Sequence, residues 1–413
     1  MPFNLKRPRS KRAQAATPLL CALAALLILA ACAPAAAGAQ ANARPAGRTA
    51  AAASAGRAPR PGSRVNARDR ARAVRRGLDF IYRTARDPAN FEVYGSDYLW
   101  CFYTVGQSVS DPSVRAAARR MGLERGREWR RTHRRLPEGA DAGTVSDYAF
   151  GSDAADSLGL RDENLKRQIR RAAAAFTARD FLLFDPRAEA PPADVPAECE
   201  FDKVWNARGA TRCRRCGRPL RMRTPKDVWY DALITAYVGE RYGVRLGASY
   251  GDVLGWLPRL RPHRGPGEAA SDDEFYDTVY AVTHVVYTLN DYGQRRIPAR
   301  LLPEEFAFLR ANLRAAVARR DADMLGEFMD SLRAFGLTDA DAEIREGTEY
   351  LLAHQNPDGS WGDPREPDIY RRYHPTWNAV AALSNYAWRG DAPDARRLRL
   401  LRALKSDSQT RLP

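Results

Sequence analysis

The sequence predicts an all-α fold, an α/α toroid of six helical hairpins with one irregular, Cys-containing insert. From Arg64 onward, apolar residues recur at helical spacing and almost no segment alternates as a strand would. Six aromatic-rich segments recur in steps of about 48 residues, apart from one long step. A unit of one outer and one inner helix must stack on its neighbours to bury its apolar face. Six such units favour closure into a ring over an open solenoid.

The N-terminus reads as an export signal. Residues 1–18 are basic, residues 19–31 are apolar, and small residues follow, which is the order of a secretory signal peptide. The apolar run is shorter than the ~20 residues of a membrane-spanning helix. Leu29-Ala30-Ala31-Cys32 resembles the bacterial lipobox, which implies acylation of Cys32. We therefore predict a signal peptide over 1–32 and an exported lipoprotein on the membrane, facing the periplasm or the cell surface. Cleavage further on, giving a soluble secreted protein, is the alternative.

The charge distribution argues against nucleic acid as a partner. The formal net charge is +16, and the first 76 residues hold 15 Lys and Arg against one acid, Asp69, so they contribute +14. The body is nearly neutral, which does not fit a nucleic-acid surface. Residues 33–64, rich in Ala, Pro and Arg, are predicted to be a flexible tether. The toroid is placed at 65–405 and a tail at 406–413.

The predicted hairpins follow in chain order. Outer helices carry many arginines and inner helices few Lys or Arg, so the inner set should line a central cavity. The outer helices are placed at 66–86, 112–134, 161–180, about 248–259, 303–319 and 338–355. The inner helices are placed at 94–107, 144–158, 227–240, 273–289, 323–335 and 375–388.

Residues 181–225 form the predicted insert, since six prolines there exclude a long helix. We expect it to fold over one mouth of the ring. It holds Cys199, Cys213 and Cys216, three of the four cysteines beyond the leader, the fourth being Cys101. Three roles stay open: disulfides, as expected in an oxidising compartment; redox exchange; or a zinc or copper site of Cys199, Cys213, Cys216 and one distant His or Asp.

Residues 355–362 read Gln-Asn-Pro-Asp-Gly-Ser-Trp-Gly and resemble the Gln-x-x-x-Gly-x-Trp element of the prenyltransferase and squalene-cyclase repeat. The resemblance implies the toroid of the terpenoid cyclase-like superfamily, with Gln355 ending an outer helix and Trp361 packed against it. The Asp-x-Asp-Asp acid of the cyclases is missing, and 372–377 echoes the prenyltransferase zinc motif only in part. Terpene cyclase and protein prenyltransferase activities are therefore not expected.

The residues predicted to carry chemistry lie on inner helices. Asp277, Tyr280 and His284 share one helix face that lacks Lys, Arg and Glu, so this face should line the cavity. His284 can act as a base oriented by a carboxylate, and Tyr280 can hold a proton. His374 precedes Pro375, which places it at a helix N-terminus where the dipole favours neutral imidazole. Asp231, one turn after Asp227, is expected to complete the cluster.

The other histidines are given lesser roles. His133 lies among arginines and is predicted at the surface, while His354 is predicted to end an outer helix. His263 sits in a loop rich in Pro and Gly, where it is a candidate for a lid over the ring mouth.

Two functions from different classes fit these observations. The first is an exported toroid enzyme, a hydrolase or lyase, whose His and carboxylate groups act with or without a metal on an extracytoplasmic polysaccharide or peptide. The alternative is a non-catalytic envelope module whose aromatic cavity binds such a polymer. No nucleotide-binding or zinc-protease motif occurs.

Overall fold

Capping residues determine where several helices of this chain begin. Asp87 and Asp111 accept hydrogen bonds from the free N–H groups of the first turn, and a proline follows each of them. Gly243 ends another helix in the left-handed conformation, which glycine adopts without strain. Local sequence therefore fixes several boundaries independently of the core.

The computed structural model describes residues 66–390 except 200, 203 and 270, and its α-helices are numbered in chain order. They are α1 Ala67–Arg86, α2 Pro88–Ser108, α3 Pro112–Thr132, α4 Ala142–Ser157, α5 Glu163–Ala173, α6 Ala178–Leu182, α7 Pro225–Tyr242, α8 Tyr250–Leu254, α9 Asp272–Leu289, α10 Pro303–Arg319, α11 Ala322–Ala334, α12 Ala342–Ala353 and α13 Tyr370–Leu383. The described residues contain no β-strand, so the prediction of an all-α fold is confirmed.

The inner helices pack on one another in chain order. Helix α2 contacts α4, α4 contacts α7, α7 contacts α9, α9 contacts α11, and α11 contacts α13. Helix α13 contacts α1 and returns to α2, where the Tyr373 hydroxyl donates to the Asp97 carboxylate over 2.9 Å. These helices are buried on most sides, whereas outer helices such as α5 bury one narrow face. Every described residue belongs to one compact unit.

The segment at 355–362 has a packing role. The Gln355 side-chain amide donates to the carbonyl of Ala73 over 2.8 Å and to that of Gly359 over 3.0 Å. Trp361 is fully buried and donates its indole N–H to the carbonyl of Leu351. The turn after α12 is thereby fastened to α1.

The insert is irregular, as predicted. Between α6 and α7 the chain has turns and two isolated antiparallel bridges, Pro196 with Met222 and Arg212 with Pro219. The predicted leader 1–32, the tether 33–64 and the tail 406–413 lie outside the described residues. No helix in the described part has the length and apolar character needed to cross a membrane.

Candidate functional site

A cavity lies among α2, α9, α11 and α13. It holds about 590 Å³ of space that continues to open solvent. Its walls combine aromatic rings with ionisable groups that come from different helices. The lining residues are Thr104, Val105, Ser108, Val109, His284, Tyr287, Tyr292, Glu327, Asp330, His374, Trp377, Asn378, Ala381 and Tyr386.

Two carboxyl groups of α11 stand at the centre of the polar cluster. The side chain of Asp321 caps this helix, and Asp323 and Glu327 follow at positions one turn apart, so they share a face. The Asn378 side-chain nitrogen bridges them, 2.7 Å from Asp323 Oδ1 and 3.3 Å from Glu327 Oε1. These two oxygens are therefore at most about 6 Å apart, the sum of the two bond lengths.

Asp323 and His374 form a buried ion pair. Asp323 Oδ1 lies 2.8 Å from His374 Nδ1, and the Tyr280 hydroxyl donates to Oδ2 over 2.9 Å. Burial opposes charge on both groups, but their mutual attraction outweighs it. The pKa of His374 is raised above its ordinary value, and that of Asp323 is lowered to about 2. The pairing therefore favours the imidazolium form of His374 and keeps Asp323 as a carboxylate.

Glu327, unlike Asp323, is held in its protonated, neutral form. Its carboxyl is 1 % exposed, and it accepts a hydrogen bond from the Thr283 hydroxyl. Burial, followed by the charge of Asp323, raises the pKa of Glu327 to about 8. Glu327 is therefore a neutral carboxylic acid at neutral pH, one helix turn from an ionised carboxylate.

His284 faces Glu327 from α9. Its Nδ1 donates to the carbonyl of Tyr280 over 2.7 Å and lies 3.8 Å from Glu327 Oε2. Burial lowers the pKa of His284 to about 3, so the ring is neutral, with its lone pair on Nε2. Among the described residues neither His284 Nε2 nor His374 Nε2 has a hydrogen-bond partner, and both rings line the cavity.

Of the predicted catalytic residues, the structure brings His284, His374 and Tyr280 together around α11, whereas Asp231 and Asp277 are not among the cavity-lining residues. The buried Arg223 guanidinium holds Asp227 at 3.0 Å and also binds Asp231. Asp277 keeps one buried oxygen without a partner in the described part, and burial raises its pKa to about 6. These carboxylates form a separate cluster where the insert enters α7.

The three insert cysteines come together, and a nearby carboxylate joins them. The ligand atoms of Cys199, Asp202, Cys213 and Cys216 lie within 4.8 Å of one another. The prediction expected a distant His or Asp beside the three cysteines, whereas the carboxylate that lies there, Asp202, belongs to the same loop. These cysteines and Cys101 are free thiols, in contrast to the disulfide alternative.

Two predictions about histidines were wrong. His374 is not at a helix N-terminus, because α13 begins at Tyr370 and Pro375 lies inside it. The charge of Asp323, and not a helix dipole, determines the direction in which the pKa of His374 moves. His133 is buried and stacks on Trp129 at 3.5 Å between centroids. The side chain of His263, the candidate for a lid, is 2 % exposed and lies 2.8 Å from Glu305.

His354 follows α12 as its C-terminal cap, where its prediction placed it. Sequence reasoning missed Asp323 and Glu327. The available signal was a pair of acids at positions i and i+4 inside an aromatic-rich inner segment, with no Lys or Arg between them. Asn378 lies one helix turn after His374, but its bridging role depends on the position of α11.

Comparison with known families gives one match. A family model described as a domain of unknown function (DUF6895) matches residues 264–383. This range runs from the loop before α9 through α13 and contains His284, Asp323, Glu327 and His374. Neither the curated proteins nor the solved structures gave a match.

Proposed function

We propose that this protein is an enzyme that performs general acid/base chemistry in the cavity between α2, α9, α11 and α13. The observation that carries the proposal is the pair of carboxyl groups on α11. Their environments push their pKa values apart, to about 2 for Asp323 and about 8 for Glu327. Two carboxyl groups with separated pKa values are the arrangement by which enzymes divide acid and base roles.

Each group then has a defined role. Glu327 is the general acid, because it carries a proton at neutral pH and lines the cavity. His284 is the general base, because its ring is neutral and its Nε2 is free to accept a proton. His374, whose protonated form Asp323 favours, lines the cavity and can donate a hydrogen bond from Nε2 to negative charge that develops on a substrate.

These roles support hydrolysis or elimination. In hydrolysis, His284 removes a proton from water while Glu327 protonates the leaving oxygen or nitrogen. In elimination, His284 removes a carbon-bound proton and Glu327 again protonates the leaving group. Tyr287, Tyr292 and Trp377 offer aromatic surfaces of the kind on which sugar rings pack, which favours a polysaccharide substrate over a peptide.

The architecture and the location belong to the same proposal. The order in which the inner helices pack, with α13 returning to α2, supports an α/α toroid of six hairpins with the cavity near its axis. The resemblance of 355–362 to the terpenoid cyclase-like repeat points the same way. The lipobox-like string ending at Cys32 supports export, so that the substrate is an extracytoplasmic polymer.

The proposal is tested by comparing the wild type with Glu327→Gln on a panel of bacterial and plant polysaccharides and of peptides. New reducing ends report glycan hydrolysis, ultraviolet absorbance reports unsaturated elimination products, and new amino groups report peptide hydrolysis. Glu327→Gln keeps the shape of the neutral acid and removes its proton, so we expect turnover to fall at least 100-fold. Glu343→Gln on the outer helix α12 is the matched control and should retain activity.

The aromatic lining also supports the second function, a binding module. A polymer that raises the melting temperature of the wild type and of Glu327→Gln alike, with no product from either, would establish binding without catalysis. Full turnover by Glu327→Gln would remove Glu327 from the mechanism.

A further inference from the structure

We infer that the insert between α6 and α7 holds one zinc ion, bound by Cys199, Asp202, Cys213 and Cys216. Three thiol sulfurs and a carboxylate oxygen converge there, and all lie within 4.8 Å of one another. The site is independent of the cavity proposed above as the catalytic centre.

The distances within the cluster fit a tetrahedral ion better than a disulfide. The sulfurs of Cys199 and Cys216 are 3.6 Å apart, and Cys213 Sγ is 3.4 Å from both oxygens of Asp202. A disulfide needs about 2.05 Å between sulfurs. Zinc–sulfur bonds of about 2.3 Å at tetrahedral angles separate two sulfurs by roughly 3.8 Å.

The ligands come in two pairs of equal spacing, and the second pair lies in a turn. Cys199 and Asp202 are three residues apart, as are Cys213 and Cys216. In the turn at 213–216 the Arg215 N–H points at Cys213 Sγ over 3.4 Å. Gly217 closes that turn at a φ of 70°, which favours glycine, and donates its N–H to the Cys213 carbonyl over 2.9 Å. Backbone N–H groups directed at a sulfur stabilise the thiolate that a metal requires.

The part of the insert that carries the cysteines has a small apolar cluster of its own. Its only separate apolar cluster in the described part comprises Cys199, Val204 and Cys213, with Leu220 packed beside them. So few apolar side chains cannot offset the entropy of ordering a loop of this length. Small units without a sufficient core are commonly stapled by a metal, whose binding free energy then becomes folding free energy.

The ligand set selects zinc. Thiolates suit zinc and Cu(I), but a carboxylate oxygen is a hard donor that suits zinc and not Cu(I). Four protein ligands close the site, as in structural zinc centres, so the ion would stabilise the loop and not activate water.

The zinc would position Arg223. Beyond the cluster, the two arms of the insert are joined by hydrogen bonds from Ala197 N–H to the Arg221 carbonyl and from Arg223 N–H to the Val195 carbonyl, each 2.8 Å. Arg223 then binds Asp227 and Asp231 on α7. Closing the loop with a metal would fix the segment that carries Arg223, so that its guanidinium stays on the buried carboxylates of Asp227 and Asp231.

The test is metal analysis of the full chain after dialysis against metal-free buffer. We expect about one zinc per chain. Cys213→Ser should lose it, whereas Cys101→Ser, which removes a buried thiol outside the cluster, should keep it. Asp202→Cys supplies a fourth thiolate, so it should retain zinc more tightly than the wild type against a competing chelator. That variant keeps the test valid if Cys213→Ser fails to fold.

Cobalt(II) titration of the apo protein gives a second readout. We expect the intense visible bands of a tetrahedral thiolate site, shifted in Asp202→Cys because a sulfur replaces an oxygen. Alkylation without reduction, read by peptide mass spectrometry, should modify all three insert cysteines after chelation. Copper instead of zinc, a disulfide between two of these cysteines, or three free thiols with no metal would each overturn the assignment.

Discussion

Replacing Glu327 by Gln should make the protein more stable at neutral and alkaline pH, although Glu327 is assigned as the general acid. The side chain is buried, and glutamine has nearly the shape of the neutral acid. The wild type has to bury a carboxylate once the pH exceeds the pKa, and the variant does not. The gain in stability therefore depends on pH in a way that no other feature of the substitution reproduces.

The size of this effect follows from the pKa. Burial and the charge of Asp323 raise the pKa of Glu327 from 4.5 to about 8 in the folded state. Because the folded pKa is the higher one, the stability that the acid form contributes is complete below the unfolded pKa and is lost as the pH rises through the folded pKa. The difference in unfolding free energy should widen by about 1.4 kcal/mol per pH unit above about pH 4.5. It should level off above about pH 8 at on the order of 4 to 5 kcal/mol.

Urea unfolding, followed by tryptophan fluorescence at a series of pH values from about 4 to about 9, measures this difference. Glu343→Gln, on an outer helix and paired with Arg310, should stay within about 0.5 kcal/mol of the wild type without a comparable trend. A constant difference between wild type and Glu327→Gln across the range would refute the reasoning, because Glu327 would then have an ordinary pKa.

Three further predictions concern separate parts of the chain. Gly359 has a φ of 94°, and a Cβ added there would lie 2.4 Å from a carbonyl oxygen of α1, so Gly359→Ala should lower the free energy of unfolding by about 2 kcal/mol or more in thermal unfolding. The loss should exceed that of Gly336→Ala, whose added Cβ meets nothing within 4 Å. Equal losses would contradict the packing role of the turn at Gly359. Burial lowers the pKa of His374 and the negative charge of Asp323 raises it, so Asp323→Asn should lower the pKa of His374 measured by NMR. An unchanged pKa would mean that the ion pair does not control it. Cys32→Ala should abolish lipid labelling and release the protein to the soluble fraction, whereas unchanged membrane association would remove the lipoprotein assignment.

Helical period was enough to predict the all-α class and the position of most helices. The outer segment 66–86 and the inner segment 273–289 match α1 and α9 within a residue or two at each end. The predicted start of the helix that contains His374 was wrong, because another local contact determines where that helix begins. Pro375 read as a first helical residue, but Asp368 accepts a hydrogen bond from the N–H of Tyr370, and the helix starts there.

The candidate site was predictable only in part, because it is assembled from separate helices. His284 and Tyr280 could be placed together, since both lie on one face of α9. Their relation to Asp323 depends on how α9 packs against α11, and helical period within one segment carries no such information. The ion pair of Asp231 could not be predicted for the same reason, because its partner Arg223 comes from the end of the insert.

NMR of protein labelled with ¹³C at its glutamate side-chain carboxyl carbons measures the protonation state of Glu327 directly. We expect one glutamate resonance that titrates near pH 8, disappears in Glu327→Gln and titrates at lower pH in Asp323→Asn. If every glutamate of the folded protein titrates below about pH 5.5, near its ordinary value, Glu327 is ionised at neutral pH and cannot serve as the acid.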